Sequence, residues 1–156
     1  MYPKIRQSVV AVLSVTAVTS ALWLAPAQAL RPAAGERYAD AAFAATNHQR
    51  SERDLSTLRA RKCLTGFAER WARQMARDRE LVHQSLGPIM RQCRLSGAGE
   101  NIAYGYPTGR QVVNRGWMNS EGHRENILRP SFRLMGIGAH RDRGGTWWVS
   151  QVFGRA

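Results

Sequence analysis

Cysteine is nearly absent from this sequence of 156 residues, with Cys63 and Cys93 the whole complement. They form no C-x-x-C pair, which leaves out the redox and zinc motifs built on that spacing. Lysine is equally scarce. The chain carries 23 basic residues against 11 acidic ones, and all of the basic ones except Lys4 and Lys62 are arginine. The arginines are scattered through every segment rather than gathered in one stripe. No stretch alternates arginine with exposed aromatics, so no specific nucleic-acid site is evident. H-E-x-x-H, histidines at i, i+4, and G-x-S-x-G are all missing, which removes zincin and nucleophile-elbow chemistry. There is no internal repeat and no low-complexity tract. The longest apolar run falls short of the roughly 20 residues that a spanning helix needs.

That run, VVAVLSVTAVTSALWLA at 9–25, follows Lys4 and Arg6 and precedes Ala27-Gln28-Ala29. A basic start, an apolar middle and a small-x-small end make a cleaved export signal over 1–29. The competing reading is a membrane anchor, which four Ser or Thr residues in the run weaken. Cleavage after Ala29 leaves a secreted chain from Leu30 with no transmembrane segment. Removing two of 23 basic residues and none of 11 acidic ones leaves a net charge of +10. Such a field attracts anionic cell-surface polymers, acidic lipids or nucleic acid. Arginine-rich usage throughout the chain gives the same composition with no binding site at all.

In an exported chain the two cysteines read first as a disulfide, and otherwise as buried thiols. Residues 30–38 read as a flexible lead-in and 39–156 as one domain. A helix is expected over 38–60, with Tyr38, Ala41, Ala42, Ala45, Leu55 and Leu58 on its apolar side. A second is clearer: Leu64, Phe67, Ala68, Trp71, Ala72, Met75 and Ala76 keep one unbroken i, i+3, i+4 stripe, ending near Leu81-Val82-His83. Gly and Pro breakers make 85–99 an irregular connection, and GENIAYGYPTG adds a short apolar piece. Thr108 can cap a third helix carrying Val112, Val113 and Trp117. Ser120 can cap a fourth, closed before Pro130. LMGIGAHR and TWWVSQVFG flank a DRGG turn as a hairpin. Trp147, Val149 and Phe153 face one way, Trp148 and Val152 the other, so both faces of the last strand are covered. Helices followed by a small antiparallel sheet make an α+β sandwich.

His83 and His123 sit at helix edges, with Glu100 and Glu121 near them in sequence. Imidazole nitrogens and a carboxylate suit Zn²⁺ or a similar ion, though this spacing is not a metal signature. His48 and His140 have no such neighbours.

AFAATNHQRSERDLSTL, FAERWARQMARDRELVHQS, GENIAYGY, WMNSEGHRENIL and MGIGAHRDRGGTWWVSQVFG occur in the order found in bacterial SCP-like domains. The chain therefore resembles the CAP superfamily of cysteine-rich secretory, antigen five and pathogenesis-related proteins. The resemblance implies a three-layer α-β-α sandwich whose open cleft gathers two histidines and two acidic residues, in some members around zinc. Carried onto this sequence, it makes His83, Glu100 and His123 the metal site. Ser120, Glu121 and Asn101 are further residues expected at the cleft. The chain departs from eukaryotic members at Ser120, which stands where they carry the second glutamate, with Glu121 beside it. It departs again at Asp54-Leu55, usually Gly-Leu, a change expected to bear on packing.

Three functions compete. The first is a secreted, non-catalytic module whose cleft captures a lipid, glycan or peptide with a divalent cation assisting. The second is a metal-assisted hydrolase such as a peptidase, with Glu100 as general base. The third is a charge-driven binder of anions or cell wall, which high salt would weaken.

Overall fold

The computed structural model describes residues 32–156; the export signal read over 1–29 lies outside them. The element order is α1 (Ala34–Ser51), β1 (Arg59–Ala60), α2 (Lys62–Asp78), α3 (Leu86–Cys93), β2 (Gly97–Tyr104), α4 (Gly109–Gln111), α5 (Glu121–Leu128), β3 (Leu134–Arg141) and β4 (Trp147–Arg155). Between α4 and α5 the helix widens into a π turn at Val112–Gly116 and tightens into a 3₁₀ turn at Trp117–Asn119.

The strands form one sheet in the order β1-β3-β4-β2. The three long strands are antiparallel, and β1 adds two parallel residues against Leu134 and Met135. Alternation along β3 and β4 sends side chains to two layers. Met135, Ile137, Val149 and Phe153 pack with Ala42, Ala45, Val113, Trp117 and Ile127, the layer of α1, α4 and α5. Leu134 and Val152 pack with Leu64, Ala68, Ile89 and Cys93 of α2 and α3. The architecture is the three-layer α+β sandwich expected.

The stripe on α2 is core as read: Leu64, Ala68, Ala72, Met75 and Ala76 are buried. The helix lies directly on β3 because β3 offers glycines there. A Cβ on Gly136 would come 2.1 Å from the Thr65 nitrogen, and one on Gly138 2.2 Å from that of Glu69. Only a residue without a side chain permits backbone contact that close. The disulfide joins Cys63 in the first turn of α2 to Cys93, the last residue of α3.

Three boundaries differ from the sequence reading. Helix α1 begins at Ala34, inside the stretch read as a lead-in, and ends at Ser51 rather than continuing to 60. Asp54 takes φ 55, a left-handed conformation that ends helical propagation and that Asp tolerates better than most residues. The Asp-for-Gly change thus falls on backbone conformation, not on packing. Leu58 reaches the core from the loop that follows, its backbone bonded at both ends by the Asn47 side chain. Ala41, read as core, is exposed. Residues 85–99 are not irregular: Pro88 falls in the first turn of α3, where its missing N–H costs nothing, and Ile89 and Cys93, one turn apart, bury its inner face. Helix α2 stops at Asp78, short of His83, where Arg79 turns left-handed and its amide bonds to Met75.

Thr108 caps α4 as expected, its hydroxyl accepting from the Gln111 amide. Ser120 occupies the N-cap position of α5, but its side chain makes no cap bond. Helix α5 is closed at its other end by Arg50, which is fully buried. Its guanidinium donates to the carbonyls of Ser56, Ile127, Arg129 and Phe132. A cation against the last carbonyls of a helix satisfies groups that the helix itself cannot. Among the described residues no helix is long and apolar enough to cross a membrane.

Candidate functional site

The free edge of β2 carries the site. Glu100 and Asn101 are successive residues of this strand and therefore face opposite sheet faces. Both are buried. A polar group out of water needs partners, and the partners of these two residues position both histidines.

On the α2 side, the Glu100 carboxylate accepts four hydrogen bonds. Its Oε2 accepts from His83 Nδ1 at 2.8 Å and from the Gln84 amide at 3.2 Å, its Oε1 from Gln84 Nε2 at 2.6 Å and Ser150 Oγ at 2.8 Å. With Nδ1 turned to the carboxylate, Nε2 is the ring nitrogen left without a partner in this network. The His83 side chain is 58% exposed against 2% for Glu100, so Nε2 looks outward. The segment is pinned by Trp71, whose indole N–H donates to Val82 O at 2.8 Å.

Asn101, on the opposite face, holds the other histidine through its backbone. Its Nδ2 donates to His123 O at 3.1 Å and to Gln151 Oε1 at 3.0 Å, while its Oδ1 accepts from Asn126 Nδ2 at 3.0 Å. Gln151 in turn donates to Thr46 Oγ1 at 2.8 Å. This chain of amides fastens α5 to the sheet and to α1. His123, in the first turn of α5, is half-buried. Burial pushes its ring below the ordinary histidine range, and the nearby His83 pushes the same way. Both favour the neutral form, which is the form a metal ion requires.

Beside the histidines opens a groove of about 530 Å³ whose walls include Leu81, Ile102, Tyr104, Tyr106, Ser120 and His123. Two of its wall residues, Leu81 and Tyr104, are exposed large hydrophobic residues. Leu81 (44%), Val82 (45%) and Tyr104 (53%) are the exposed large hydrophobic residues among those described. Leu81 and Val82 directly precede His83, and Tyr104 ends β2, its ring stacked on Trp148 at 4.9 Å.

The expected residues thus separate into roles. His83 and Glu100 are hydrogen-bonded, with Glu100 behind His83, and His83 is near enough to His123 to shift its ring. Ser120 lines the groove. Asn101 supports His123 from the core and does not line the groove, and Glu121 is exposed outside it. Among the described residues no three His, Cys, Asp or Glu side chains are placed to hold one ion. The donors that fit a cation are the two imidazole rings, one oriented by a carboxylate in the way metal-binding histidines commonly are. Gln84, Ser150, Asn126 and Gln151 were not anticipated. The signal for two of them was present: Ser150-Gln151 is a polar pair inside a strand covered on both faces. Its register places Ser150 opposite Ile102 and Gln151 opposite Asn101.

Comparison with known proteins bears on the family and the fold. The Bacillus subtilis (strain 168) protein YkwD is 36% identical over 117 residues, spanning 70% of this chain and 44% of its own length. An extracellular protein containing an SCP domain from Bacillus anthracis superposes with a TM-score of 0.70 at 27% identity, covering 78% of this chain and 41% of that one. A cysteine-rich secretory protein of Staphylococcus aureus has the same fold, with a TM-score of 0.67 at 19% identity over 79% of this chain and 40% of that one. The chain spans less than half the length of each. Residues 43–153 match the model of the cysteine-rich secretory protein family, CAP, and with that match over most of its length the chain belongs to the CAP family.

Proposed function

We propose that the domain is a ligand-binding module acting outside the cytoplasm. Its groove takes a molecule with an apolar body and a polar end, of the lipid, glycan or peptide classes. The observation that carries this reading is the rim. The exposed large hydrophobic side chains among the described residues sit next to His83 and at the end of β2, where isolated apolar exposure would be scattered. A groove with apolar walls and a few convergent polar groups is the usual form of a small-ligand site.

His83 Nε2 and the His123 ring would hold a divalent cation, Zn²⁺ by the softness of the donors. When bound, it would supply a positive charge for the polar end of the ligand. Glu100 would act from behind, fixing the His83 ring. A hydrolytic reading needs Glu100 as a base for water, and its two oxygens already accept four hydrogen bonds. The binding reading is therefore the better supported.

Calorimetric titration of Zn²⁺ into the protein, His83→Ala and His123→Ala tests the cation, and a fluorescent fatty acid titrated into Leu81→Ser and Tyr104→Ser tests the groove. The expected result is loss of Zn²⁺ binding in both histidine variants and of the fatty acid in both rim variants. Histidine variants that bind Zn²⁺ as wild type does would remove the cation, and unaffected rim variants would remove the groove.

A further inference from the structure

Arginines that are scattered in sequence are not scattered in space. Because α2 lies on β3, the end of the helix and the end of the strand come together, and Arg73, Arg77, Arg79, Arg141 and Arg143 converge on one concave groove of about 540 Å³, with His140 beside them. This groove shares no lining residue with the one at His123.

The carboxylates nearby neutralise only part of this charge. Asp142 lines the groove, but it accepts from the Thr146 amide at 2.9 Å and from Trp148 Nε1 at 3.2 Å, with Arg79 at 3.8 Å. Asp78 pairs with Arg77 at 2.9 Å. Among the described residues no carboxylate lies within ion-pair distance of Arg73, Arg141 or Arg143. Arg73 and Arg143, from a helix and from a hairpin end, therefore line one concavity without a counter-ion, while Arg141, also on its lining, rests its guanidinium over the Trp147 ring and donates to Gly145 O.

From this geometry we infer that the groove binds a linear oligophosphate, a run of closely spaced phosphates. The planar fork of a guanidinium matches two phosphate oxygens at once, and forks from a helix and from a hairpin end match several phosphates rather than one. No Phe, Tyr or Trp side chain lines the groove, so nucleobases would find no large stacking platform.

The test is calorimetric titration of sodium tripolyphosphate into the full chain and three sets of variants. The first is Arg73→Gln/Arg141→Gln/Arg143→Gln. The second is Arg73→Gln/Arg143→Gln, which keeps the Arg141 bond to Gly145 O in the hairpin turn. The third is Arg59→Gln/Arg91→Gln/Arg110→Gln, exposed arginines elsewhere that remove the same three charges. The groove variants should lose roughly tenfold or more in affinity for each phosphate contact removed. The control triple should lose less than about threefold at moderate salt, since only the screened field of the whole protein changes. Equal losses in the groove and control triples would overturn the inference, as would wild-type protein that binds no tripolyphosphate. It would also fall if vesicles of phosphatidylcholine and phosphatidylglycerol bound wild type and the groove triple alike while tripolyphosphate bound neither.

Discussion

Replacing Glu100 by Gln changes one atom of the site and separates two roles that a glutamate beside two histidines can have. The backbone amide of Gln84 cannot turn round, so the new carboxamide must keep its oxygen where Oε2 now accepts from Gln84 N and His83 Nδ1. Its NH₂ then faces Ser150 Oγ and the Gln84 side chain. A hydroxyl can accept as well as donate, and the Gln84 amide can flip to present its oxygen. All four positions are refilled, and what is lost is charge assistance, partly offset by no longer burying an ion. We expect about 1–2 kcal/mol of destabilisation, a fall of roughly 3–10 °C in melting temperature for a domain of this size. Glu100→Ala instead strands the fully buried Ser150 hydroxyl and opens a void, at a cost of about 3–5 kcal/mol. Thermal melts measure both. The same two proteins then report on the cation. If Glu100 only orients His83, Glu100→Gln should weaken Zn²⁺ binding about 10- to 100-fold while His83→Ala removes it. Loss of all binding in Glu100→Gln, with the melt near wild type, would refute this and make Glu100 a ligand. A Glu100→Gln melt as low as that of Glu100→Ala would refute the refilled network.

Removing the Cys63–Cys93 bond, which closes a loop across a separation of 30 residues, should cost about 3–4 kcal/mol, read as the difference between melts with and without reductant. Gly138→Ala should destabilise by about 3 kcal/mol or more, because its Cβ meets the α2 backbone and overpacking against backbone has no soft response. Gly122→Ala, with nothing within 4 Å, should be neutral or gain up to about 1 kcal/mol; equal effects at both glycines would refute the close packing of α2. The lowered His123 ring sets a pH window. The unfolded chain takes up the proton near pH 6.5 and the folded one only below it, so stability should hold above about 6.5 and fall as pH drops toward the folded value. His123→Gln should flatten that fall in a series of denaturant melts, and an unchanged slope would assign it elsewhere.

The helix stripe from Leu64 to Ala76 and the β3–β4 hairpin were legible in the sequence because periodicity reports burial directly. The end of α1 was not, because it depends on one residue, Asp54, entering a backbone region that composition does not announce. Helix α3 was hidden for a related reason. Gly87 and Pro88 read as breakers, yet at a helix start proline is no obstacle, and only Ile89 and Cys93 mark the inner face. At the site, His83 and His123 could be named but their supports could not. The partners of Glu100 come from positions 83, 84 and 150, and those of Asn101 from 123, 126 and 151. No window along the chain contains them.

Those supports also explain how two histidines from different layers of the sandwich are both held at one strand edge. His83 follows α2, in the layer on one sheet face; His123 opens α5, in the layer on the other. What lies between them is the edge strand β2, and its period of two gives each layer one buried polar residue. Glu100 fixes a ring on its side, and Asn101 fixes a helix on the other. A one-residue slip of β2 against β4 would exchange these faces, bringing the carboxylate toward the amides of α5 and the amide toward His83. The register Glu100↔Val152 and Asn101↔Gln151 is held from within, since Gln151 and Ser150 each match a different one of the two residues. The polar pair in β4 therefore selects the strand register, and the register places the histidines.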